Sequence, residues 1–334
     1  MYLHDDTERF KELIVECSKK MRIPRSVIEK DYFVTIFLKH LSEAEPQTVF
    51  KGGTCLSKCF GLIDRFSEDI DITMGPKVTK KQRRDMKYHI INVACALGMK
   101  HMNADTVYSR SVYAQHEISY PSNFVSRTLR PVLMVETYFR PISFPTLIMP
   151  ASSLLCEYLS STGSDNVISE FGLEPFDVAV QPLKITFIDK LYAVAVNCLE
   201  KKITRQSRHL YDLHMIIPHI EFDKEFFLLL KEIGDYETNG FADKEASFDP
   251  SALKEILRNI ISEGVYEKDY ENNTLPLLFE PVPYSNVTRS ILSSLDDMET
   301  EEGEFLIDEI LPMDVRTASE PSFFVLCPMI VVVS

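Results

Sequence analysis

The sequence lacks features that would assign it to several common classes of protein. It has no Gly-x-x-x-x-Gly-Lys-Thr loop, no internal repeat and no coiled-coil heptad pattern, which excludes the usual P-loop and repeat architectures. No run reaches the ~20 apolar residues that a membrane-spanning helix needs, so we expect no membrane segment. Charged residues at positions 5, 6, 8 and 9 precede any apolar run, so we expect no secretory signal.

Cysteine is scattered and shows no paired spacing. The seven cysteines lie at positions 17, 55, 59, 95, 156, 198 and 327, without the Cys-x-x-Cys pairs that are typical of a zinc site. Their odd number and wide separation predict reduced thiols in a cytoplasmic protein. Cys55 and Cys59 are four residues apart, and we expect them to be buried small side chains rather than metal ligands.

Charge is distributed unevenly along the chain. The net charge is −14, but residues 221–334 hold 25 acids and 8 bases, whereas residues 1–220 hold 28 bases and 25 acids. The basic residues of the first part form two clusters: Lys77, Lys80, Lys81, Arg83, Arg84 and Lys87, and then Lys201, Lys202, Arg205 and Arg208. Such clusters either follow a nucleic-acid backbone or form solvated helix faces, so the overall acidity does not exclude an RNA partner.

The length and the proline positions predict two domains. The chain has 334 residues, more than a typical single domain of about 100 to 200 residues. Prolines at 141, 145 and 150 indicate a boundary, so we predict a mixed α/β (α+β) domain over 1–150 and a mainly helical domain over 151–334. Periodicity predicts helices over 7–21, 26–41, 80–97, 226–233 and 252–261 and from 183 onward, and strands over 107–120 and 132–139.

The end of the chain has two unusual segments. The acidic stretch 296–309 is expected to be exposed. The apolar tail 323–334 is rich in β-branched residues and too short to cross a bilayer. Such a tail is expected to be buried in a sheet, covered by a partner, or prone to aggregation.

The segment 47–74 contains the strongest indication of chemistry. Its pattern predicts a strand, a turn at Gly52 and Gly53, a short helix and a second strand that carries Asp69 and Asp71. Side chains alternate across a strand, so these two carboxylates share one face about 6 to 7 Å apart. Acids beside a glycine turn with free N–H groups suit a divalent metal and nucleotide phosphates. A pair of surface acids is the alternative.

Residues of this segment resemble a known family. The run Lys51-Gly-Gly-Thr-x-Leu-Ser-Lys58, followed by Arg65-Phe-Ser-Glu-Asp-Ile-Asp71, resembles motif I of the AbiEii/AbiGii toxin family, nucleotidyltransferases of the DNA polymerase β superfamily. Three further segments agree with it in order and spacing: Ile28-Glu-Lys-Asp-Tyr-Phe-Val-Thr35, Asp189-Lys-Leu-Tyr-Ala193 and Arg208-His-Leu-Tyr-Asp-Leu213. The resemblance covers roughly residues 25 to 215.

The resemblance implies a polymerase β-like domain with a small mixed sheet, and it implies a set of site residues. Asp69 and Asp71, together with Glu136, would hold Mg²⁺ or Mn²⁺. Lys190 would contact the triphosphate of an NTP, and Asp212 would orient the attacking hydroxyl or Lys190. Phosphate contacts would come from Gly52, Gly53 and Thr54, and secondarily from Ser57, Lys58, Arg65 and Ser67.

Several of these residues have a structural alternative. Glu136 could instead lie on the solvent face of an edge strand, paired with Arg130 or Arg140. Arg208 and Asp212 are four residues apart and could form an ion pair within one helix.

Other charged or polar residues near these motifs also have both a functional and a structural interpretation. Lys30 or Asp31 could face the cleft or belong to a charged first helical turn, in which Ser26 and Glu29 fit a capping box. His209 could serve as a base, although a packed histidine on the helix face is the simpler interpretation.

The resemblance also implies an activity. Similar proteins are toxins of bacterial toxin–antitoxin or phage-abortive-infection systems, and members add nucleotides to the 3′ end of tRNA. We therefore expect a magnesium-dependent transfer of NMP from an NTP to an acceptor hydroxyl, with tRNA or another RNA as acceptor and an antitoxin protein as partner. The alternatives are nucleotidylation of a protein hydroxyl and a non-catalytic nucleotide- or RNA-binding regulator.

Overall fold

Helices and strands are mixed up to residue 180, and in the described part beyond it the regular elements are helices. The computed structural model describes residues 1–74, 78–107, 113–126, 129–139, 145–239 and 249–310. The helices are α1 (Thr7–Met21), α2 (Arg25–Ala44), α3 (Gly52–Lys58), α4 (Lys80–Ala96), α5 (Leu154–Ser161), α6 (Asp165–Phe171), α7 (Leu183–Leu199), α8 (Arg208–Ile216), α9 (Lys224–Asn239), α10 (Leu253–Ser262), α11 (Glu267–Asp269) and α12 (Tyr284–Ile310). The strands are β1 (Thr48–Lys51), β2 (Asp69–Met74), β3 (Lys100–His101), β4 (Tyr113–Ser119), β5 (Val132–Tyr138), β6 (Leu147–Ala151) and β7 (Phe176–Val180).

The strands form one mixed sheet in the order β3-β4-β5-β2-β1-β7-β6. β2 is parallel to β5 and β1 is parallel to β7, whereas the other neighbouring pairs are antiparallel. In the central strands Ile70 and Val135 are fully buried on one face. Asp71 and Glu136 point to the opposite face and are partly exposed. We call the face that carries Asp71 and Glu136 the open face.

Two hydrophobic clusters divide the molecule. The first gathers buried side chains from Leu3 to Val180, including those of α2, which packs against β2, β5 and β7. The second runs from Ile185 to Met298 and also takes in Leu56 and Ile63. The fold is therefore a sheet-containing α/β part followed by a helical region, as the sequence predicts. The predicted boundary at residue 150 stays a prediction, and β6 spans that position.

Most of the predicted helices and strands are present. α1 and α4 agree with the predicted helices 7–21 and 80–97, and β5 agrees with the predicted strand 132–139. β4 begins at Tyr113, and residues 108–112 of the predicted strand 107–120 lie outside the described residues.

Near the end of the chain, Asp296, Asp297 and Glu299 on α12 are exposed, as expected for the acidic segment. The apolar tail 323–334 lies outside the described residues. None of the described helices combines the length and the hydropathy required to cross a bilayer.

Candidate active site

A row of polar side chains crosses the open face of the sheet. Asp71 lies opposite Glu136 on the parallel strand β5, and Lys51 lies opposite Asp71 on β1. Gln115 extends the row on β4, where its Nε2 donates to Glu136 Oε1 at 3.0 Å. Asp69 precedes Asp71 by two residues and shares its face. The strand register therefore brings together the three carboxylates that the sequence and the resemblance identify.

The three carboxylates repel one another. Burial, followed by the charges of Glu136 and Asp69, raises the pKa of Asp71 to about 7. Burial and Asp69 likewise raise the pKa of Glu136. Lys51 and Arg208 act in the opposite direction at Asp71 without cancelling the effect. The cluster therefore carries negative charge that a bound cation would stabilise.

The donor chemistry fits a hard divalent cation. Within the described residues, no group of three or more His, Cys, Asp or Glu side chains forms a cage that could hold a metal ion. Mg²⁺ does not require such a cage, because it is usually held by one or two carboxylates together with water and substrate phosphates. Asp69, Asp71 and Glu136 supply oxygen ligands of that kind on one face.

The glycine turn lies directly against these acids. Gly52 has φ +76°, and a Cβ added to it would stand 1.9 Å from Asp71 Oδ2. A Cβ on Gly53 would meet Arg65 Nη2 at 2.5 Å and Ser67 Oγ at 2.8 Å. Only glycine fits at either position, because Asp71 on β2 and the side chains of Arg65 and Ser67 in the loop before β2 occupy the space that a Cβ would take.

Thr54 and Ser67 support the turn. Thr54 is 1% exposed, and its Oγ1 donates to Ser67 Oγ at 3.0 Å. Ser57 lies on α3 and is partly buried. The predicted phosphate contacts Gly52, Gly53, Thr54 and Ser67 are therefore adjacent to one another and to Asp71.

Asp212 is the centre of a buried ionic cluster. It is 0% exposed, and its carboxylate accepts from Arg65 Nε at 2.7 Å, from Arg65 Nη2 at 2.8 Å and from Lys190 Nζ at 2.6 Å. Burial opposes ionisation, but the two cations hold the pKa of Asp212 well below its usual range. We call Arg65, Lys190 and Asp212 the buried triad. Since Arg65 also lies beneath Gly53, the triad supports the glycine turn.

The loop that leads into β2 is held by the helical region. Phe66 N donates to Leu277 O at 3.2 Å and Phe279 N donates to Asp64 O at 3.0 Å, around an antiparallel bridge between Arg65 and Leu278. The backbone N–H of Asp64 also donates to Tyr211 Oη at 3.1 Å. The position of Asp69 therefore depends on residues far along the chain.

Arg208 reaches the acidic strand from the N-terminus of α8. Its Nη1 lies 3.4 Å from Asp69 Oδ2. The alternative in which Arg208 pairs with Asp212 along one helix is wrong, because Asp212 is bound to the other two members of the buried triad. Arg208 is a site residue that helical spacing alone did not reveal.

His209 has the environment of a packed histidine. Its Nε2 lies 3.1 Å from Gln206 Oε1. Burial, followed by the charges of Lys190 and Arg208, lowers its pKa well below the ordinary value. The neutral imidazole belongs to the packing of α8, which agrees with the simpler interpretation of the sequence.

The charged residues at the start of α2 are buried rather than solvated. Glu29 is 0% exposed and accepts from Ser122 Oγ at 2.7 Å and from Asn123 N at 2.6 Å. The predicted capping box between Ser26 and Glu29 is therefore wrong, since this carboxylate binds a distant loop and α2 has no side-chain cap.

Two lysines predicted near the cleft form buried ion pairs. Lys30 is 2% exposed and donates to Glu68, the residue before Asp69. The side chain of Lys58 is 4% exposed and pairs with Asp31. The structure thus does not place Lys58 among the phosphate contacts, because its ammonium group joins α3 to α2.

Glu136 does not have the environment of an edge-strand acid. β5 lies between β2 and β4, so it is not an edge strand. Arg130 Nη2 lies 3.8 Å from Glu117 Oε2, and Arg140 lies outside the described residues.

Sequence reasoning left Lys51, Gln115 and Arg208 without a role in the site. Lys51 and Gln115 stand in predicted strands, where alternation would have placed them on the acidic face once the register was known. Arg208 gave no such signal, because its partner Asp69 lies 139 residues away.

Comparison with known proteins agrees with this geometry. The chain matches a family model described as "Nucleotidyl transferase AbiEii toxin, Type IV TA system" over residues 36–289, a range that includes every residue of the carboxylate row, the glycine turn and the buried triad. A comparison with curated proteins found no match. The chain therefore belongs to the AbiEii nucleotidyltransferase toxin family of type IV toxin–antitoxin systems.

Proposed function

We propose that this nucleotidyltransferase is a magnesium-dependent enzyme of the EC 2.7.7 type that transfers NMP from an NTP to an RNA hydroxyl, specifically at the 3′ end of tRNA. The observation that carries the proposal is the pairing of Asp71 with Glu136 on adjacent strands, with Asp69 on the same face and the glycine turn against Asp71.

Some residues of the site would stabilise charge during the reaction, and others would position the substrates. Bound Mg²⁺ or Mn²⁺, held by Asp69, Asp71 and Glu136, would neutralise charge on the triphosphate and on the attacking hydroxyl. Gly52 and Gly53 let the turn lie directly against Asp71, and the backbone N–H groups of the turn would bind the β- and γ-phosphates there. The acceptor oxygen bonds to the α-phosphorus, the bond to the bridging oxygen breaks, pyrophosphate leaves with the electron pair, and the hydroxyl proton passes to solvent. Positioning and electrostatics therefore account for most of the rate.

The buried triad acts on this reaction indirectly. Both carboxylate oxygens of Asp212 are occupied by Arg65 and Lys190, so we assign Asp212 to positioning rather than to the attacking hydroxyl. Lys190 is 5% exposed, and its ammonium group supports Arg65 through the shared carboxylate. Its charge adds to the positive potential beneath the phosphates.

The proposed biological setting follows the family. A cognate antitoxin protein would counteract the toxin, and modification of the tRNA 3′ end in the cytoplasm would block aminoacylation. The mildly basic first 220 residues are compatible with an RNA substrate, since they hold 28 bases and 25 acids.

A labelling experiment tests the function. The protein is incubated with each α-labelled NTP, Mg²⁺ and total tRNA, and the products are separated on denaturing gels. We expect labelled tRNA, and we expect Asp69→Asn/Asp71→Asn to abolish both labelling and growth inhibition. The matched control is Asp177→Asn, because Asp177 is an exposed strand aspartate at the start of β7, away from the carboxylate row.

The other outcomes identify the other functions. A labelled protein band without labelled RNA would indicate nucleotidylation of a protein hydroxyl. No labelling with any NTP, or toxicity that survives the double substitution, would support a non-catalytic regulator and contradict the proposal.

A further inference from the structure

The open face continues past the carboxylates into an aromatic surface. Tyr138 follows Glu136 by two residues on β5, and Tyr113 lies opposite Tyr138 on β4. The alternation of side chains along a strand puts both rings on the face of Asp71 and Glu136. Their centroids are 6.5 Å apart at an interplanar angle of 66°. Tyr113 is 48% exposed, so its ring is accessible to solvent.

Neighbouring polar groups hold this aromatic pair next to the site. Burial and the nearby charge of Glu136 raise the pKa of the Tyr113 hydroxyl, so this hydroxyl lies close to the Glu136 carboxylate. Lys51 Nζ lies 5.2 Å from the centroid of the Tyr138 ring, within cation–π distance. The pair and the carboxylate row thus form one continuous surface across β1, β2, β5 and β4.

We propose that Tyr113 and Tyr138 bind the terminal nucleobase of the acceptor RNA by stacking; this inference rests on the proposed transfer to RNA. In phosphoryl and nucleotidyl transfer, the attacking and leaving oxygens lie roughly in line on opposite sides of the phosphorus. Pyrophosphate leaves on the side of the glycine turn, beyond Asp71 toward β1. The acceptor therefore approaches from the other side, across Glu136, where β5 and β4 carry the two tyrosines.

The chemistry of the surface fits a base rather than a peptide. Aromatic side chains bind bases of any sequence, because every base presents a π-face, and a nearby cation strengthens the contact. Tyr113 presents such a ring, and Lys51 supplies a cation at the Tyr138 end for the adjoining phosphate. The surface would thus hold the last nucleotide of a single-stranded end with its hydroxyl toward Glu136.

The absence of tryptophan from the sequence allows a direct test. Tyr113→Trp introduces a single tryptophan, and its emission is followed while total tRNA is added without NTP, so no transfer takes place. We expect quenching by tRNA and none by the NTPs alone.

In steady-state assays we expect Tyr113→Ala to raise KM for tRNA about tenfold while KM for the NTP changes little. Tyr113→Phe keeps the ring and is expected to raise KM for tRNA less than Tyr113→Ala does.

Matched variants at Tyr88 control for exposure. Tyr88 is 54% exposed on α4, outside the open face, so Tyr88→Trp should not respond to tRNA and Tyr88→Ala should keep the KM for tRNA of the unmodified protein.

Quenching of Tyr113→Trp by an NTP alone would overturn the inference, because the base of the incoming nucleotide would then occupy the surface. An unaltered emission together with an unaltered KM would also overturn it, even where labelled tRNA upholds the transfer reaction. Quenching by tRNA in a protein that labels no RNA would support the inference and contradict the proposed reaction.

Discussion

At the scale of single residues, Gly52 connects backbone conformation to the chemistry most directly. Its φ of +76° favours glycine, and its missing side chain leaves space for the Asp71 carboxylate. The first requirement is conformational and the second is steric. Experiments can separate the two requirements, because other glycines of the chain have a positive φ but have free space where a Cβ would lie.

We predict that Gly52→Ala lowers the rate of NMP transfer by about 100-fold or more, because the new methyl group displaces the Asp71 carboxylate by roughly 1 Å. Gly61→Ala is the matched control: Gly61 has φ +62° and nothing within 4 Å of an added Cβ. The control should lose only ~1 to 2 kcal/mol of folding free energy to strain. Transfer assays and urea unfolding of both variants measure the difference, and equal activities would contradict the steric argument.

Sequence reasoning at this scale succeeded where the relevant contact is local. Asp69 and Asp71 share a face because strands alternate, and that alternation is visible in the sequence. The partners of Lys58 and Arg208 could not be predicted, because 27 and 139 residues separate them from Asp31 and Asp69. Periodicity shows which face a side chain occupies, but the fold determines what lies across from that face.

At the scale of elements, α8 is the helix on which the site depends most. It carries Arg208 toward Asp69 and Asp212 toward Arg65. The loop before it is fixed by Asp269, whose carboxylate accepts from Arg205 N at 2.7 Å, Ser207 N at 2.9 Å and Asn273 Nδ2 at 2.7 Å. Arg205 itself has φ +64°, so this loop keeps an unfavourable backbone conformation with the help of Asp269.

We predict that Asp269→Ala destabilises the protein by about 2 kcal/mol and reduces NMP transfer, because charge-assisted hydrogen bonds to the loop are lost. Burial opposes ionisation of Asp269, but hydrogen bonds from Ser207 and Arg205 lower its pKa. Its stabilising effect is therefore full above the unfolded carboxyl pKa of about 3.9 and disappears as the pH falls through the lower folded value. Urea unfolding between pH 3 and pH 7 should show the two proteins converging at the acidic end.

Asp249→Ala is the control for this prediction. Asp249 also accepts from a backbone N–H, that of Ser251 at 2.9 Å, but it is exposed and lies outside the α8 loop. It should leave transfer unchanged. A gap between Asp269→Ala and the unmodified protein that stays constant down to pH 3 would rule out the ionised carboxylate as the cause.

The elements themselves were predictable to different degrees. Long periodic helices such as α1 and α4 were found because an apolar stripe of many residues leaves little ambiguity. The prolines at 141, 145 and 150 predict a domain boundary, and Pro150 lies in β6. Proline is tolerated there since β6 is the outermost strand of the sheet. Short edge strands of this kind carry little local signal.

At the scale of the whole molecule, the buried triad joins the two hydrophobic clusters. Arg65 comes from the sheet-containing part, whereas Lys190 and Asp212 come from the helical region. All three are nearly inaccessible to solvent, with exposures of 3%, 5% and 0%. An ion pair buried in this way is costly to break, because the remaining charges are left without a partner. The family resemblance indicated all three residues, with Arg65 as a phosphate contact, but the sequence did not show that Asp212 binds both Arg65 and Lys190.

We predict that Asp212→Asn destabilises the protein by about 3 to 5 kcal/mol, since two buried cations lose their counter-charge. Asp223→Asn removes one partner of Lys184, a 2.6 Å ion pair at the surface, and should cost about 0 to 1 kcal/mol. Urea unfolding measures both. The combination Arg65→Met, Lys190→Met and Asp212→Leu should recover much of the lost stability without recovering transfer, because apolar side chains fill the space but do not support the glycine turn through Arg65. Equal losses of stability for Asp212→Asn and Asp223→Asn would show that the triad does not join the two parts. A fully active triple variant would show that the triad does not position the site.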